Sequence, residues 1–379
     1  MRTYINETVI SSPQKKKKSR VDIEFLTLLF LLLLLGTLMV FSASYPYGSS
    51  HYGNGFYYII RQLIFLIIGS FLMYFLSKVP IMLIKKFAPY IYSICLILLV
   101  LVLFGGFSEG VAKRWLGIPG TPLSFQPSEL MKFGIIVMLA WYFDLKQRCK
   151  KTVMTEILIP GVILFSACGL VLLEKHLSGT VILALIGLSI MFISGMRIKR
   201  MISIYGSVGI VGASVFLLTN SYAMKRIESF FNPNADILSD KWQTTQGLYA
   251  IGSGGLFGLG YFNSRQKYSY VSEPQNDFIF TIWCEETGFI GAVVLIALFI
   301  LLILRGFSIA YKAKSTFSSL VAFGITCQIG IQALLNMLVV TDLLPNTGIS
   351  LPFFSYGGSS LVILMAEMGI LLSISRESW

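Results

Sequence analysis

Long apolar runs constrain this chain more than any other feature of its sequence. Residues 25–41, 63–75 and 292–304 are mostly aliphatic and aromatic, as the hydrocarbon core of a bilayer requires of a helix that crosses it. Only 13% of the residues are charged, against about 25% in a soluble protein. The strands of a membrane barrel would alternate apolar and polar residues, and these runs do not. The sequence therefore predicts an all-α polytopic membrane protein.

The hydropathy pattern predicts about ten transmembrane helices. They are placed at residues 25–44, 57–77, 87–107, 126–143, 153–173, 177–194, 201–219, 278–304, 317–340 and 353–374. The sixth and seventh are short for spans and are interrupted by glycine.

Basic residues divide unequally between the two sides of the membrane that these spans define. Of the 30 Lys and Arg residues, 20 lie on the side of the N-terminus, 9 lie on the opposite side, and Lys132 lies within the fourth span. Cytoplasmic loops carry such an excess, so both termini are predicted to be cytoplasmic. The large loop between helices 7 and 8, at about residues 220–277, is then extracytoplasmic. Because topology explains the net charge of +12, the composition gives no reason to expect a nucleic-acid partner.

The same pattern divides the chain into a tail and one domain. Residues 1–20 end in a basic run and are predicted to be a disordered cytoplasmic tail, and residues 21–379 are predicted to form a single transmembrane domain. The five cysteines are scattered, and His51 and His176 lie far apart. Neither the spacing of a disulfide framework nor that of a metal site is present, so we predict no protein metal site.

A carboxylate at the boundary of the eighth span is the strongest candidate for a functional residue. Asp277 lies where the large polar loop enters an apolar run, and on the predicted topology it faces outward. An ionisable group at a membrane boundary is costly to desolvate, which makes it a functional hypothesis. Asp also favours the N-cap of a helix, and the two roles are compatible.

Basic residues cluster in the outer loops. Lys113-Arg114-Trp115 precedes the fourth span, Lys225-Arg226 opens the large loop, and Arg265 and Lys267 lie near its end. Basic residues at an outer interface suit an anionic partner such as a lipid phosphate. The alternative is that they are solvated loop charges of little energetic importance.

Four acids and one base lie inside apolar runs. Glu129 and Lys132 are spaced i, i+3, which places them on one helix face and favours a position facing the bundle or a cavity. Glu285, Glu286 and Glu367 have no base at a helical spacing. Pairing with another span is the commoner fate of such residues, and the sequence assigns no role to Glu285 and Glu286.

Glycine and proline mark two irregular segments. Residues 252–260 are predicted to be flexible, after a short interfacial helix at residues 243–251. Residues 344–360 contain Pro345, Pro352 and three glycines at a span entrance, which predicts a broken or re-entrant helix. Close packing of small residues between helices is the alternative.

Taken in order, several of these motifs resemble the SEDS family, the shape, elongation, division and sporulation proteins of bacteria. The resemblance covers nearly the whole chain after about residue 22. It is carried by Lys113-Arg114-Trp115, Phe125-Gln126-Pro127-Ser128-Glu129-Leu130-Met131-Lys132, His176-Leu177-Ser178-Gly179-Thr180, Arg226, residues 252–260, Asp277-Phe278-Ile279-Phe280, Glu285-Glu286 and residues 345–360. The run Ser264-Arg265-Gln266-Lys267 is more similar to the division and sporulation branch than to the elongation branch.

The resemblance implies a ten-helix peptidoglycan glycosyltransferase that polymerises lipid II into nascent glycan at the outer face of the bacterial cytoplasmic membrane. It implies that Asp277 is the essential acid. We assign substrate binding to Lys113, Arg114, Trp115, Glu129, Lys132, Arg226, Ser355 and Gly357. It also implies a class B penicillin-binding protein as partner, besides membrane lipids. No cofactor is evident, although the substrate diphosphate can bring a divalent cation.

Two other function classes remain open at this point. A lipid-linked sugar flippase would also have many spans, intramembrane charge and a broken helix. A non-catalytic scaffold for a cell-wall synthase would share the partner. Whether the chain serves division, sporulation or elongation is not readable from its residues.

Overall fold

The computed structural model describes residues 21–108, 113–117, 124–146, 152, 154–231 and 241–378. The predicted basic tail, residues 1–20, lies outside the described residues. The helices are α1 (Ile23–Tyr52), α2 (Tyr57–Leu76), α3 (Ile81–Gly105), α4 (Pro127–Lys146), α5 (Ile159–Leu173), α6 (Leu177–Ile193), α7 (Ile198–Met201), α8 (Ser207–Thr219), α9 (Ser221–Phe231), α10 (Trp242–Ser253), α11 (Ile279–Lys312), α12 (Thr316–Val340) and α13 (Gly358–Ser378). Short π-helical segments, Met154–Leu158 and Ile202–Gly206, precede α5 and α8.

Among the described residues, eight helical stretches are long and apolar enough to cross a membrane. They are α1, α2, α3, α5 with its π-helical segment, α7 to α8, α11, α12 and α13. Helix α6 is apolar but has 17 residues, and α4 has 20 residues and includes several charges. The mostly helical membrane architecture is as predicted, and the number of ten spans stays a prediction.

Three short strands lie in the segment before α4, which the all-α prediction did not include. They are β1 (Phe107–Ser108), β2 (Lys113–Gly117) and β3 (Ser124–Phe125), paired antiparallel in the order β1-β2-β3. Phe107 lies opposite Trp115, and Leu116 lies opposite Phe125. Hydropathy identifies spans but carries no information about backbone pairing in the loops between them, so it could not predict this sheet.

The bundle is held together around three well-buried helices, α4, α12 and α13. Helix α13 packs along α2, α12 packs against α11, α4 and α6, and α1 packs along α11. At the N-terminal end of α1, Asp22 caps the helix by accepting a hydrogen bond from the Phe25 amide at 3.0 Å, and it forms an ion pair with Arg305 of α11 at 2.8 Å. This contact fixes the register between the first helix and the helix that follows Asp277.

Helix α11 is broken in its N-terminal third. Gly288 has φ 69° and ψ −167°, a conformation open to glycine. The glycine-rich segment inserts beside this break: the amides of Leu259 and Gly260 donate to the carbonyls of Glu285 and Glu286 at 2.9 and 3.0 Å. Irregular backbone at membrane depth is stable only when protein groups satisfy it. Residues 252–260 were therefore wrongly predicted to be flexible, whereas the short helix predicted before them is confirmed as α10.

Candidate functional site

Asp277 lies at the mouth of the bundle, two residues before α11 begins. The N-cap of α11 is Phe278, and no side chain caps the helix. The N-cap interpretation of Asp277 is therefore wrong, because the N-cap position falls on Phe278, one residue after Asp277. Asp277 is partly buried, and its carboxylate does not cap α11.

A row of amide side chains on α12 runs through the bundle to Asp277. Gln328, Gln332 and Asn336 are spaced i, i+4, so they lie on one helix face, and all three are buried. Asn336 Nδ2 donates to the backbone carbonyl of Asp277 at 2.8 Å and to that of Ile349 at 2.6 Å. Asn336 thus ties the candidate acid to the segment between α12 and α13.

That segment, residues 341–357, is called the connector here. It contains no helix between Val340 and Gly358, and Gly348 and Phe353 have positive φ, so the predicted broken entrance to the last span is confirmed. Its carbonyls are satisfied from neighbouring elements. Arg226 donates to Asn346 O at 2.8 Å, and Ser178 donates to Thr347 O at 2.7 Å.

The connector brings its backbone directly against the carboxylate. A Cβ built on Gly348 would lie 3.1 Å from Asp277 Oδ2, and Gly348 has φ +65°. Any side chain at this position would therefore be strained and would occupy the space beside the carboxylate. Glycine at position 348 avoids both the strain and this contact.

Burial and, to a lesser extent, the nearby carboxylate of Glu273 raise the pKa of Asp277 to about 6, against the opposing influence of the Arg226 and Arg114 guanidinium groups. A carboxyl group with this pKa is largely ionised at neutral pH and remains basic enough to accept a proton. The structure thus brings together three of the predicted residues: Asp277, Arg114 and Arg226.

Arg114 is held by the turn between α5 and α6. Its Nη2 donates to the carbonyl of Lys175 at 2.7 Å, and Lys175 itself has φ 57°. Glu174 in the same turn is 2% exposed. Burial raises the pKa of Glu174 to about 8, against the influence of Arg114. No sequence pattern indicates Glu174, because its position depends on a long-range contact.

The predicted Glu129–Lys132 pair is confirmed as a contact on one face of α4. The Nζ–Oε2 distance is 2.9 Å, with side-chain exposures of 3% for Lys132 and 13% for Glu129. Lys132 also donates to Gln332 Oε1 at 2.9 Å, and Ser360 donates to Glu129 Oε2 at 2.7 Å. The pair therefore joins α4 to α12 and to the first turn of α13, on the inner side of the connector.

The other predicted binding residues occupy different environments. Ser355 is buried, and its hydroxyl oxygen accepts a hydrogen bond from the Leu351 amide at 2.8 Å, which stabilises a turn of the connector. Gly357 and Trp115 are half-buried, next to α13 and on β2. Lys113 lies on β2, but its side chain lies outside the described residues. Contact of these four with a substrate stays a prediction.

Glu285 and Glu286, which had no assigned role, form a buried polar cluster with the large loop. Lys267 Nζ lies 3.0 Å from Glu286 Oε1, with both side chains fully buried, and Ser42 of α1 donates to the same oxygen at 2.6 Å. Glu285 accepts hydrogen bonds from the Ser264 hydroxyl and from the Arg265 amide. The prediction that Lys267 suits an anionic lipid is wrong, because this lysine is buried and ion-paired with Glu286.

Comparison with known proteins places this geometry in a family. The family model described as "Cell cycle protein" (FTSW_RODA_SPOVE) matches residues 23–379. Stage V sporulation protein E of Bacillus subtilis is 39% identical over 96% of this chain and 99% of its own length. A probable peptidoglycan glycosyltransferase FtsW of Trichlorobacter lovleyi is 38% identical over 93% of each chain.

Solved structures give the same result. A chain from a structure titled "Structural coordination of polymerization and crosslinking by a peptidoglycan synthase complex" superposes with a TM-score of 0.79 at 25% identity, over 95% of this chain and 98% of that one. The rod shape determining protein RodA of Thermus thermophilus superposes with a TM-score of 0.70 at 26% identity, over the same shares. The chain therefore belongs to the FtsW, RodA and SpoVE family, as a multi-pass protein of the bacterial cytoplasmic membrane.

Proposed function

We propose that this chain is a peptidoglycan glycosyltransferase that polymerises lipid II at the outer face of the membrane, with Asp277 as its general base. The observation that carries the proposal is the partly buried Asp277 carboxylate, whose surroundings raise its pKa to about 6 and which lies directly against the Gly348 backbone. Curated relatives are named as probable peptidoglycan glycosyltransferases, which supports the reaction class.

The reaction requires two things that this site can supply. A hydroxyl of one sugar attacks the anomeric carbon of the other, the bond from that carbon to the diphosphate breaks, and the hydroxyl proton passes to Asp277. Positioned general bases contribute about 10²- to 10⁴-fold to such steps. The lipid diphosphate leaves as a stable anion, so no second carboxylate is needed to protonate it.

Arg114 and Arg226 are the groups we assign to the diphosphate. Both act electrostatically on Asp277, so both lie near the reacting atoms. An arginine side chain can bind phosphate oxygens through two parallel hydrogen bonds, and fixed positive charge where negative charge develops stabilises a transition state. Where a divalent cation takes part, we assign it to the substrate diphosphate rather than to a protein site.

The partner we propose is a class B penicillin-binding protein. The support is the structural likeness to a chain from a peptidoglycan synthase complex. Such a partner would crosslink the strands that this chain polymerises. Membrane lipids would surround the apolar outer faces of the spans.

Purified protein given fluorescent lipid II in detergent micelles, with and without the partner transpeptidase, tests the proposal. We expect glycan strands whose formation depends on this chain. Micelles have no second leaflet, so a lipid flippase or a scaffold would leave the lipid II unreacted. Unreacted lipid II in the presence of an active partner and Mg²⁺ would refute the proposed activity.

A further inference from the structure

Helix α1 projects beyond the membrane and carries tyrosines on its projecting turns. Its 30 residues correspond to about 45 Å of helix, whereas the hydrocarbon core is about 30 Å thick. The Asp22–Arg305 ion pair at the first turn of α1 belongs at a membrane surface, because charges are costly in hydrocarbon. On the predicted topology the excess length therefore lies on the outer side. The helix continues for eight residues beyond the predicted span at residues 25–44, to Tyr52.

The last turns of α1, the start of α2 and the connector together form a compact group of rings. We call this group, Tyr47, Tyr52, Tyr57, Tyr58 and Tyr356, the tyrosine platform. Tyr52 and Tyr57 are stacked with centroids 3.9 Å apart and planes within 6°. Tyr58 meets Tyr356 of the connector edge to face at 4.9 Å. Tyr52 is 51% exposed, whereas Tyr58 is buried and the other three tyrosines are half-buried. Tyr52 is therefore the ring of the platform that presents most surface to the outer side.

Charged groups surround the platform. The guanidinium carbon of Arg61 lies 4.0 Å from the centroid of the Tyr57 ring. Glu273 acts electrostatically on Tyr47 and Tyr58. The platform therefore combines flat apolar faces with phenol, guanidinium and carboxylate groups in one place.

The platform is continuous with the site at Asp277. The amide of Tyr356 donates to the carbonyl of Gln275 at 2.8 Å, two residues before Asp277. Glu273, which acts on the platform tyrosines, also acts on Asp277. A molecule that leaves the carboxylate in this direction meets the platform next.

We propose that the tyrosine platform is a saccharide-binding subsite that holds the glycan strand as it leaves Asp277. Pyranose rings present apolar C–H faces, which pack on aromatic rings, and a rim of hydroxyl and acetamido groups, which bond to phenol, guanidinium and carboxylate groups. Tyrosine is well suited to such mixed contacts because it is large, rigid and polar at one end. This inference rests on the proposed function, since the strand is its product.

The competing explanation is an interfacial belt, in which tyrosines lie at the headgroup level of any membrane protein. A belt anchors helices and has no preference for the membrane face that bears the glycan. Two exposed tyrosines elsewhere provide a matched control. Tyr90 and Tyr311 are 66% and 91% exposed and lie toward the cytoplasmic ends of α3 and α11.

The experiment compares Tyr52→Ala/Tyr57→Ala with Tyr90→Ala/Tyr311→Ala in two measurements. The first is the length distribution of strands made from lipid II, normalised to the rate at which the first glycosidic bond forms. The second is the Kd of lipid-free glycan strands for the Asp277→Asn protein carrying either pair of changes. We expect the platform variant to bind glycan about tenfold more weakly, equivalent to about 1.4 kcal/mol, and to make correspondingly shorter strands.

Unchanged strand length and Kd in the platform variant, or equal effects of the two pairs, would overturn the subsite and leave a membrane belt. Failure of the proposed function has a different signature, because the wild-type protein would then make no strands. The glycan-binding measurement needs no turnover and decides the inference in that case as well.

Discussion

Replacing Lys267 by methionine tests whether the buried ion pair with Glu286 stabilises the N-terminal part of α11. Both side chains are fully buried, so the substitution leaves a carboxylate in the protein interior without its cation. Breaking one partner of a buried pair costs about 3–5 kcal/mol. The hydrogen bond from Ser42 to Glu286 at 2.6 Å remains, and we therefore expect the lower part of that range.

A surface pair provides the matched control. Arg200 and Glu156 lie 3.0 Å apart with side-chain exposures of 43% and 19%, and exposed pairs contribute about 0.2–1 kcal/mol. The free energy of unfolding in detergent is measured for Lys267→Met, Arg200→Met and the double variant Lys267→Met/Glu286→Gln. We expect the first to lose at least about three times as much as the second, and the double variant to recover part of that loss. Equal losses for Lys267→Met and Arg200→Met would show that the buried pair stabilises the fold no more than an exposed pair does.

Three further predictions concern the site itself. Because Asp277 must be ionised to accept a proton and its pKa is raised to about 6, polymerisation is expected to fall as pH drops through 6; a rate independent of pH between 5 and 7 would contradict the assignment. Gly348→Ala is expected to lower turnover strongly, because its Cβ would lie 3.1 Å from Asp277 Oδ2. Gly53→Ala is the control for backbone strain alone, since Gly53 has a similar φ of +66° and nothing lies within 4 Å of its Cβ position. Equal turnover in the two variants would remove Gly348 from the site. Burial raises the pKa of Glu174 to about 8, above its unfolded value, so the stability of the folded state is fullest below pH of about 4 and declines as pH rises toward 8. Glu174→Gln should remove that decline, worth about 3 kcal/mol at pH 7, and melting curves at pH 5 and 8 that shift equally in both proteins would refute this.

The helices and the candidate acid could be predicted from the sequence because their signals are local. An apolar run long enough to span a bilayer can be recognised directly in the sequence. Asp277 can be recognised in the same way, because it is a charged residue at the start of such a run. The Glu129–Lys132 contact followed from helical spacing alone. In each case the residues that decide the feature are neighbours along the chain.

Contacts between distant segments could not be predicted in this way. Lys267 meets Glu286 because the glycine-rich segment packs against the break in α11 at Gly288. No periodicity in the sequence indicates this contact. Asn336 acts on Asp277 from another helix. Its spacing from Gln332 and Gln328 was a signal, because three amides at i, i+4 in an apolar helix mark a polar face. The outer end of α1 was missed for a related reason: past residue 44 its residues are polar and aromatic, so hydropathy declines while the helix continues.

The most direct test of the account is the single-turnover rate at which the first glycosidic bond forms from lipid II in the Asp277→Asn protein. Glu273→Gln is the matched control, since it removes a nearby carboxylate in the same loop that is exposed. We expect this rate to fall about 10²-fold or more for Asp277→Asn and to change less than about tenfold for Glu273→Gln. An Asp277→Asn protein that forms the bond at more than a tenth of the wild-type rate would contradict the central claim that Asp277 is the base.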